Sequence, residues 1–170
     1  MTARRRRFPL RFYAMVLAGA QAAASVAGAE TLRELDLSGP SAIGTRIEAA
    51  PGENGKPAIR VTAGWPAVIN LAEVTDPDAE DTRLVFEARV RSENLAGTAY
   101  LEIWAQLPGG GQYFGRGFDS TVTGNAGWTT LRAVFVLQPG QRPSRLILNL
   151  VVNGRGVVSI AQAKLSKAPR

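Results

Sequence analysis

Apolar and polar residues alternate strictly along two neighbouring segments near the middle of the chain, 84–91 and 100–107. Successive side chains of a β-strand point to opposite faces, so each segment has one apolar face and one polar face. The apolar positions are Leu84, Phe86, Ala88, Val90, Leu101, Ile103, Ala105 and Leu107. The pattern predicts two strands joined by a short turn, with these residues in the core of a sheet protein.

Most of the chain after residue 29 follows the same pattern in short segments. Further strands are predicted at 31–37, 43–49, 58–63, 67–74, 112–118, 128–137, 145–153 and 157–165. Their alternation adds further predicted core residues, namely Leu131, Phe135, Leu146, Leu148 and Leu150. Glycine or proline occurs in nearly every connection, a turn is predicted at 124–127, and Asn153-Gly154 is a strong tight-turn signal. No segment shows sustained helical periodicity. Roughly nine to ten short strands predict an all-β fold, an antiparallel sandwich or barrel, in a single domain.

Residues 1–29 have the order of a secretory signal peptide. Arginines at 4–7 precede an apolar, alanine-rich segment at 12–24, and the small residues at 27–29 form an Ala-x-Ala-like cleavage site. A retained membrane anchor is the alternative, but the apolar segment is short for a stable span and is interrupted by Gln21. We therefore predict a mature domain of residues 30–170 that is periplasmic or secreted, with the Sec and twin-arginine routes both open.

The charge of the chain belongs mainly to this leader. The full sequence has 20 basic and 14 acidic residues, a net charge of +6 and a pI near 10.5. Five of the basic residues are arginines within 1–29, so 15 basic and 14 acidic residues remain, a net charge of about +1. No cluster of lysine and arginine survives in the mature chain, and nucleic acid is not predicted as a partner.

Residue types that are missing exclude several kinds of chemistry. The sequence has no cysteine and no histidine, so disulfides, Ser-His-Asp and Cys-His nucleophile systems and the usual zinc sites are excluded. The acidic segment 76–81 resembles the start of an EF-hand loop, but Asp81 stands where that loop requires glycine. We predict neither a cofactor nor a metal site.

The polar faces of the central segments have an unusual mixture of side chains, with carboxylates, guanidinium groups, a phenol and an indole. With neighbouring strands added, the candidate ligand-binding residues are Glu87, Arg89, Tyr100, Glu102, Trp104, Arg132 and Asn149. An aromatic plane beside hydrogen-bonding groups is the composition that sugar recognition requires. The alternative is a solvated face with ion pairs such as Glu87–Arg89 or Glu102–Arg132. Arg116 or Tyr113 would border the site, depending on which way their strand faces.

A family resemblance appears in the order of these segments. The strand at 84–91 is followed by 99–104, then by Trp128 entering a strand, and finally by 148–150 leading to 156–160. This order resembles the jelly-roll sandwich of galactose-binding-like domains and carbohydrate-binding modules. Many such modules hold a structural calcium through acids on the last strand, where this chain has Ala161 and Gln162. The resemblance thus implies a jelly roll without that calcium site.

The function predicted from the sequence is an exported, non-catalytic module that binds a carbohydrate through the polar-aromatic sheet face. A protein-interaction or sensor-associated domain that binds another envelope protein is the alternative. A small glycoside hydrolase with Glu87 and Glu102 as its paired carboxylates ranks last, because no motif fixes an acid and a nucleophile.

Overall fold

The computed structural model of this protein describes residues 28–40, 42 and 44–170. The predicted signal peptide therefore lies almost wholly outside the described residues. The strands are β1 (Glu30–Glu34), β2 (Arg46–Pro51), β3 (Pro57–Ala63), β4 (Ala67–Thr75), β5 (Arg83–Gln106), β6 (Gln112–Arg116), β7 (Val122–Val136) and β8 (Arg145–Ala168). The one described helix is a single 3₁₀ turn, Glu53–Gly55, and no described helix is long and apolar enough to cross a membrane.

Two long strands, β5 and β8, pair antiparallel along almost their whole length and organise the fold. The first part of β5 also pairs with β7, and the second part with β6. The first part of β8 also pairs with β4, and its second part with β3 and β1; β2 lies beyond β3. We call the half that contains β1, β2, β3 and β7 sheet I, and the half that contains β4 and β6 sheet II. The two halves form an antiparallel jelly-roll sandwich.

The passage from one sheet to the other occurs at a corner where β5 and β8 touch through glycines. The register of the β5–β8 ladder shifts between Glu93 and Ala96, and Gly97 has φ +121°. A Cβ atom on Gly97 would lie 2.1 Å from the Asn153 carbonyl oxygen, and one on Gly154 would lie 2.0 Å from that of Ala96. Only glycine allows the two backbones to approach this closely and bend together.

This corner corrects the predicted strand boundaries. The segment 84–91 and all of 100–107 but its last residue are parts of the single strand β5, and 145–153 and 157–165 are parts of β8. Asn153-Gly154 does not form a hairpin turn, because Gly154 stays paired with Gly97 and the ladder continues through the bend. The predicted turn at 124–127 likewise lies within β7.

The core lies between the inner faces of the two sheets and agrees closely with the alternation pattern. The predicted core residues that are at most 1% exposed are Leu84, Phe86, Val90, Leu101, Ile103, Ala105, Leu131, Leu146, Leu148 and Leu150. They belong to one contiguous apolar cluster. Leu107 and Phe135 were also predicted in the core but are only partly buried. Leu107 lies just after the end of β5, and Phe135 lies near the end of β7.

Candidate functional site

The structure divides the seven predicted binding residues between two surfaces. Here the outer face of a sheet is the face turned away from the core. Glu87, Arg89 and Arg132 lie on the outer face of sheet I, where Glu87 is opposite Arg132 in the β5–β7 ladder. Tyr100, Glu102, Trp104 and Asn149 lie on the outer face of sheet II, where Glu102 is opposite Asn149 in the β5–β8 ladder. The expectation that all seven share one face is wrong, because β5 passes from one sheet to the other at the glycine corner.

On sheet II, β6 and the residues just after it place further aromatic rings beside those of β5. Phe114 is opposite Trp104 and their ring centroids are 6.2 Å apart, while Phe118 meets Tyr100 edge-on at 4.9 Å. Phe114 and Phe118 are 53% and 63% exposed. We call this surface the aromatic face; its residues are Tyr100, Glu102, Trp104, Phe114, Arg116, Phe118 and Asn149.

A buried carboxylate lies beneath the rings. Glu102 is only 3% exposed, and its oxygens accept hydrogen bonds from the Trp104 indole N–H and from Arg116 Nε at 2.6 Å. Asn149 Nδ2 donates a third at 3.3 Å. A buried carboxylate is tolerated only with such compensation. Glu102 therefore fixes the orientation of the Trp104 ring. Because the indole N–H is already bonded to Glu102, a ligand could contact this ring only through its apolar carbon surface.

Arg116 connects this carboxylate to the exposed rings. Its guanidinium carbon lies 4.1 Å from the Phe114 ring centroid and 5.8 Å from that of Phe118. The hydrogen bond to Glu102 raises the pKa of Arg116 above its already high ordinary value. A permanently charged guanidinium close to two aromatic rings stabilises their positions through cation–π attraction. The two phenyl rings are thus held in place although they are exposed.

On sheet I the outer face is charged and contains a groove of about 860 Å³. Glu87 accepts from Arg132 and also faces Lys164 at 3.5 Å. Arg89 donates two hydrogen bonds of 2.8 Å to Glu53, and this contact lowers the pKa of the Glu53 carboxyl. Ion pairs do form on this face, but the predicted Glu87–Arg89 pair is not among them. The predicted Glu102–Arg132 pair does not form either, because Glu102 lies on sheet II and pairs with Arg116.

Sequence reasoning missed Phe114 and Phe118. It named Arg116 and Tyr113 as border residues, and the structure separates those two: Arg116 lies on the aromatic face, whereas Tyr113 is opposite the core residue Ala105. The missing information was the register of the β5–β6 hairpin. With Trp104 set opposite Phe114, the alternation along β6 brings Arg116 opposite Glu102 and onto the same side.

The two carboxylates considered for catalysis pair with arginines, and the carboxylates considered for metal binding do not form a cluster in the described residues. Glu87 and Glu102 lie on different sheets and each is held by its own arginine. Residues 28–40, 42 and 44–170 contain no group of three carboxylates placed to hold a metal ion. In the last strand, Ala161 is fully buried and Gln162 occupies a position with φ +50°. That calcium has no structural role here stays a prediction.

No protein-family model and no curated protein matches the sequence. Solved structures do match the fold. The N-terminal CBM22-1–CBM22-2 tandem domain of Paenibacillus barcinonensis Xyn10C has a TM-score of 0.62 at 13% identity, over 86% of this chain and 48% of that one. The CBM22-1–GH10 modules of a Clostridium thermocellum endo-1,4-β-D-xylanase, complexed with xylohexaose, give 0.59 at 14% identity, over 84% and 28%. A xylan-binding domain from CBM22 gives 0.55 at 16% identity, over 86% and 99%.

These likenesses define the class of fold. The chain has the β-sandwich fold of carbohydrate-binding modules, as the order of its strands predicted. Within that class it is similar to CBM22 modules, and it spans about half the length of the tandem domain. At these sequence identities the likeness shows a shared fold and does not identify a binding site in this chain.

Proposed function

We propose that this chain is a non-catalytic carbohydrate-binding module that binds polysaccharide through the aromatic face. The observation that carries the proposal is the pair of exposed phenyl rings, Phe114 and Phe118, that both lie close to the Arg116 guanidinium. Water-exposed rings in fixed positions can stack on the C–H faces of sugar rings. Arg116 is close to both rings and Tyr100 contacts Phe118, so these two residues supply hydrogen-bonding groups for sugar hydroxyls.

Xylan is the first polysaccharide to test. Three of the similar structures described above come from CBM22 modules, one is described as xylan-binding, and another holds xylohexaose. We propose that the aromatic face of this chain takes a β-linked chain of neutral sugars of that kind. The predicted leader at 1–29 supports an exported location, where such polymers occur.

The non-catalytic part of the proposal rests on the carboxylates. Glycoside hydrolysis requires two carboxyl groups on either side of one bond. Glu102 is buried beneath Trp104 and Arg116, and Glu87 lies on the other sheet beside Arg132. Neither carboxylate is placed to reach a bond in a sugar chain together with the other.

Isothermal titration calorimetry of residues 30–170, which contain all the described strands, tests the proposal with xylohexaose. Phe114→Ala should weaken binding by about tenfold or more, because a stacked ring contributes roughly 1 kcal/mol beyond its buried area. Tyr113→Ala is the matched control: Tyr113 is adjacent and equally exposed, at 52% against 53%, but faces the other side of β6. Equal affinity of the Phe114 and Tyr113 variants would contradict the assigned face.

The groove on sheet I is a second candidate surface, because ligand sites are generally concave. Lys164→Ala is its cleanest test, since Glu87 keeps Arg132 as a partner. If this substitution removes xylohexaose binding and Phe114→Ala does not, the site is the groove. If a glycan array detects no ligand and a partner protein binds the aromatic face instead, the alternative of an interaction domain is correct.

A further inference from the structure

A small pocket lies between the aromatic face and the groove. It is at the place where β6 and the residue Gly117 after it pass close to β7. Its volume is about 490 Å³, and it is lined by Arg116, Asp119, Ser120, Thr130, Arg132 and Val134. The crossing is close: a Cβ atom on Gly115 would lie 2.2 Å from the Val134 carbonyl oxygen, and one on Gly117 would lie 2.1 Å from that of Arg132. The two glycines thus bring an arginine from each strand to the same pocket.

Each of these arginines covers its own carboxylate. The Arg116 side chain is 34% exposed and that of its partner Glu102 is 4% exposed. The Arg132 side chain is 42% exposed and that of its partner Glu87 is 18% exposed. The negative charges therefore lie under the guanidinium groups, and the pocket presents the positive groups to solvent.

The remaining hydrogen-bonding capacity of the pocket consists mostly of donors. Arg116 donates to Glu102 through Nε, and Arg132 donates to Glu87 through Nε and Nη2, which leaves terminal N–H groups of both arginines without an acceptor among the described residues. The Ser120 hydroxyl oxygen accepts from the Arg132 backbone N–H, and the Thr130 hydroxyl oxygen accepts from Arg89. Both hydroxyl protons are then available to a ligand. Asp119 is the one acidic group in the lining, and it is exposed.

We propose that this pocket binds the carboxylate of an acidic sugar carried by the polysaccharide, an inference that rests on the proposed function. Arg116 belongs to both surfaces, so a sugar stacked on Phe114 or Phe118 lies next to the pocket. Two guanidinium groups and two hydroxyls match the oxygens of a carboxylate and would form charge-assisted hydrogen bonds with it. The ligand of this module is then a glycan whose neutral main chain lies on the aromatic face and carries uronic-acid side groups.

The test compares one polymer with and without its acid groups. Glucuronic-acid-substituted xylan and the same xylan after carboxyl reduction are titrated calorimetrically into the protein at low and high salt. We expect about a tenfold preference for the acidic polymer at low salt, the equivalent of one charge-assisted hydrogen bond, and a smaller preference at high salt.

Variants assign the preference to the pocket. Arg132→Gln should reduce the preference to about one, and it leaves Glu87 with Lys164. Asp119→Asn should increase the preference, since it removes the one repulsive charge in the lining. Arg60→Gln is the control, because Arg60 is also a partly exposed arginine paired with a glutamate, Glu93, but it lines neither concavity.

The outcomes separate the two proposals. Equal affinity for the acidic and the reduced xylan, with Phe114→Ala still weakening both, would overturn the carboxylate pocket and leave the aromatic face intact. A preference that survives Arg132→Gln or disappears in Arg60→Gln would also overturn the pocket. Failure of both polymers to bind would contradict the proposed function itself, and the pocket with it.

Discussion

Trp104 has two roles at the residue scale. Its ring lies beside the exposed ring of Phe114, and its indole N–H donates a hydrogen bond to the buried Glu102 carboxylate. Replacement by alanine would therefore disturb both the surface and the support beneath it. A substitution that separates the two roles is more informative.

Trp104→Phe keeps an aromatic ring but removes the donor to Glu102. The carboxylate would retain Arg116 and Asn149, so we expect a loss of about 1.5–3 kcal/mol in the free energy of unfolding, typical of one hydrogen bond to a charged group. Urea denaturation measures this change. Unchanged stability would show that the indole contributes nothing to holding Glu102.

Phe86 and Phe135 form a matched pair of core tests. Phe86→Ala should cost about 3–5 kcal/mol, because Phe86 is fully buried and the surrounding core would retain a cavity. Phe135→Ala should cost clearly less, because Phe135 is only partly buried. The midpoints and slopes of urea unfolding curves compare the two variants, and equal losses would contradict the assigned edge position of Phe135.

At the scale of the elements, the glycine corner decides how β5 and β8 form a sandwich. Gly154→Ala would place a methyl group 2.0 Å from the Ala96 carbonyl oxygen, so the backbones must separate. We expect a loss of about 3 kcal/mol or more in the free energy of unfolding. Gly127→Ala is the control, since a Cβ atom there would meet nothing within 4 Å. Thermal unfolding should show a lower Tm only for the first variant.

The same corner marks the limit of sequence reasoning about this chain. Period-2 alternation identified which side chains of β5 and β8 face the core, because burial on one face leaves a local signal. It could not show that Gly97 and Gly154 meet, since a bend shared by two strands looks like two separate turns in the sequence. For the same reason Glu87 and Glu102 were placed on one surface.

The candidate site was predictable only in part, for a related reason. Tyr100, Glu102 and Trp104 were found because they alternate along one strand, and Asn149 because it alternates along its own. Phe114 and Phe118 depend on the register of a hairpin with a glycine-rich connection at 108–111, which allows several loop lengths. The burial pattern does not reveal this register, because Phe114 and Phe118 are exposed and therefore leave no alternation signal in the sequence.

For the whole molecule, ion pairs between glutamate and arginine determine the response to acid. Contacts with Arg89, Arg142 and Arg60 lower the pKa values of Glu53, Glu80 and Glu93 respectively. At these carboxyls the folded state therefore binds protons less readily than the unfolded chain, and the stability that the pairs contribute is lost as the pH falls below the ordinary pKa of glutamate toward the lowered values.

The expected result is a Tm that changes little between about pH 8 and pH 5 and falls below about pH 4.5. The sequence contains no histidine, so no side chain with an ordinary pKa near 6.5 titrates in the upper range. Circular dichroism melts across this pH series measure the effect. A Tm that rises on acidification would contradict the role of these pairs.

The most direct test of the aromatic face uses the three tryptophans as reporters. Trp104 lies on that face, Trp128 lies beside Arg89 and Arg91 near the groove of sheet I, and Trp65 is an exposed residue between β3 and β4. In a ¹H–¹⁵N correlation spectrum their indole N–H signals can be followed while xylohexaose is added. We predict a saturable shift of the Trp104 signal with the Trp128 and Trp65 signals unchanged. A shift of Trp128 alone, or no shift at Trp104 under conditions where calorimetry detects binding, would contradict the aromatic face as the binding site.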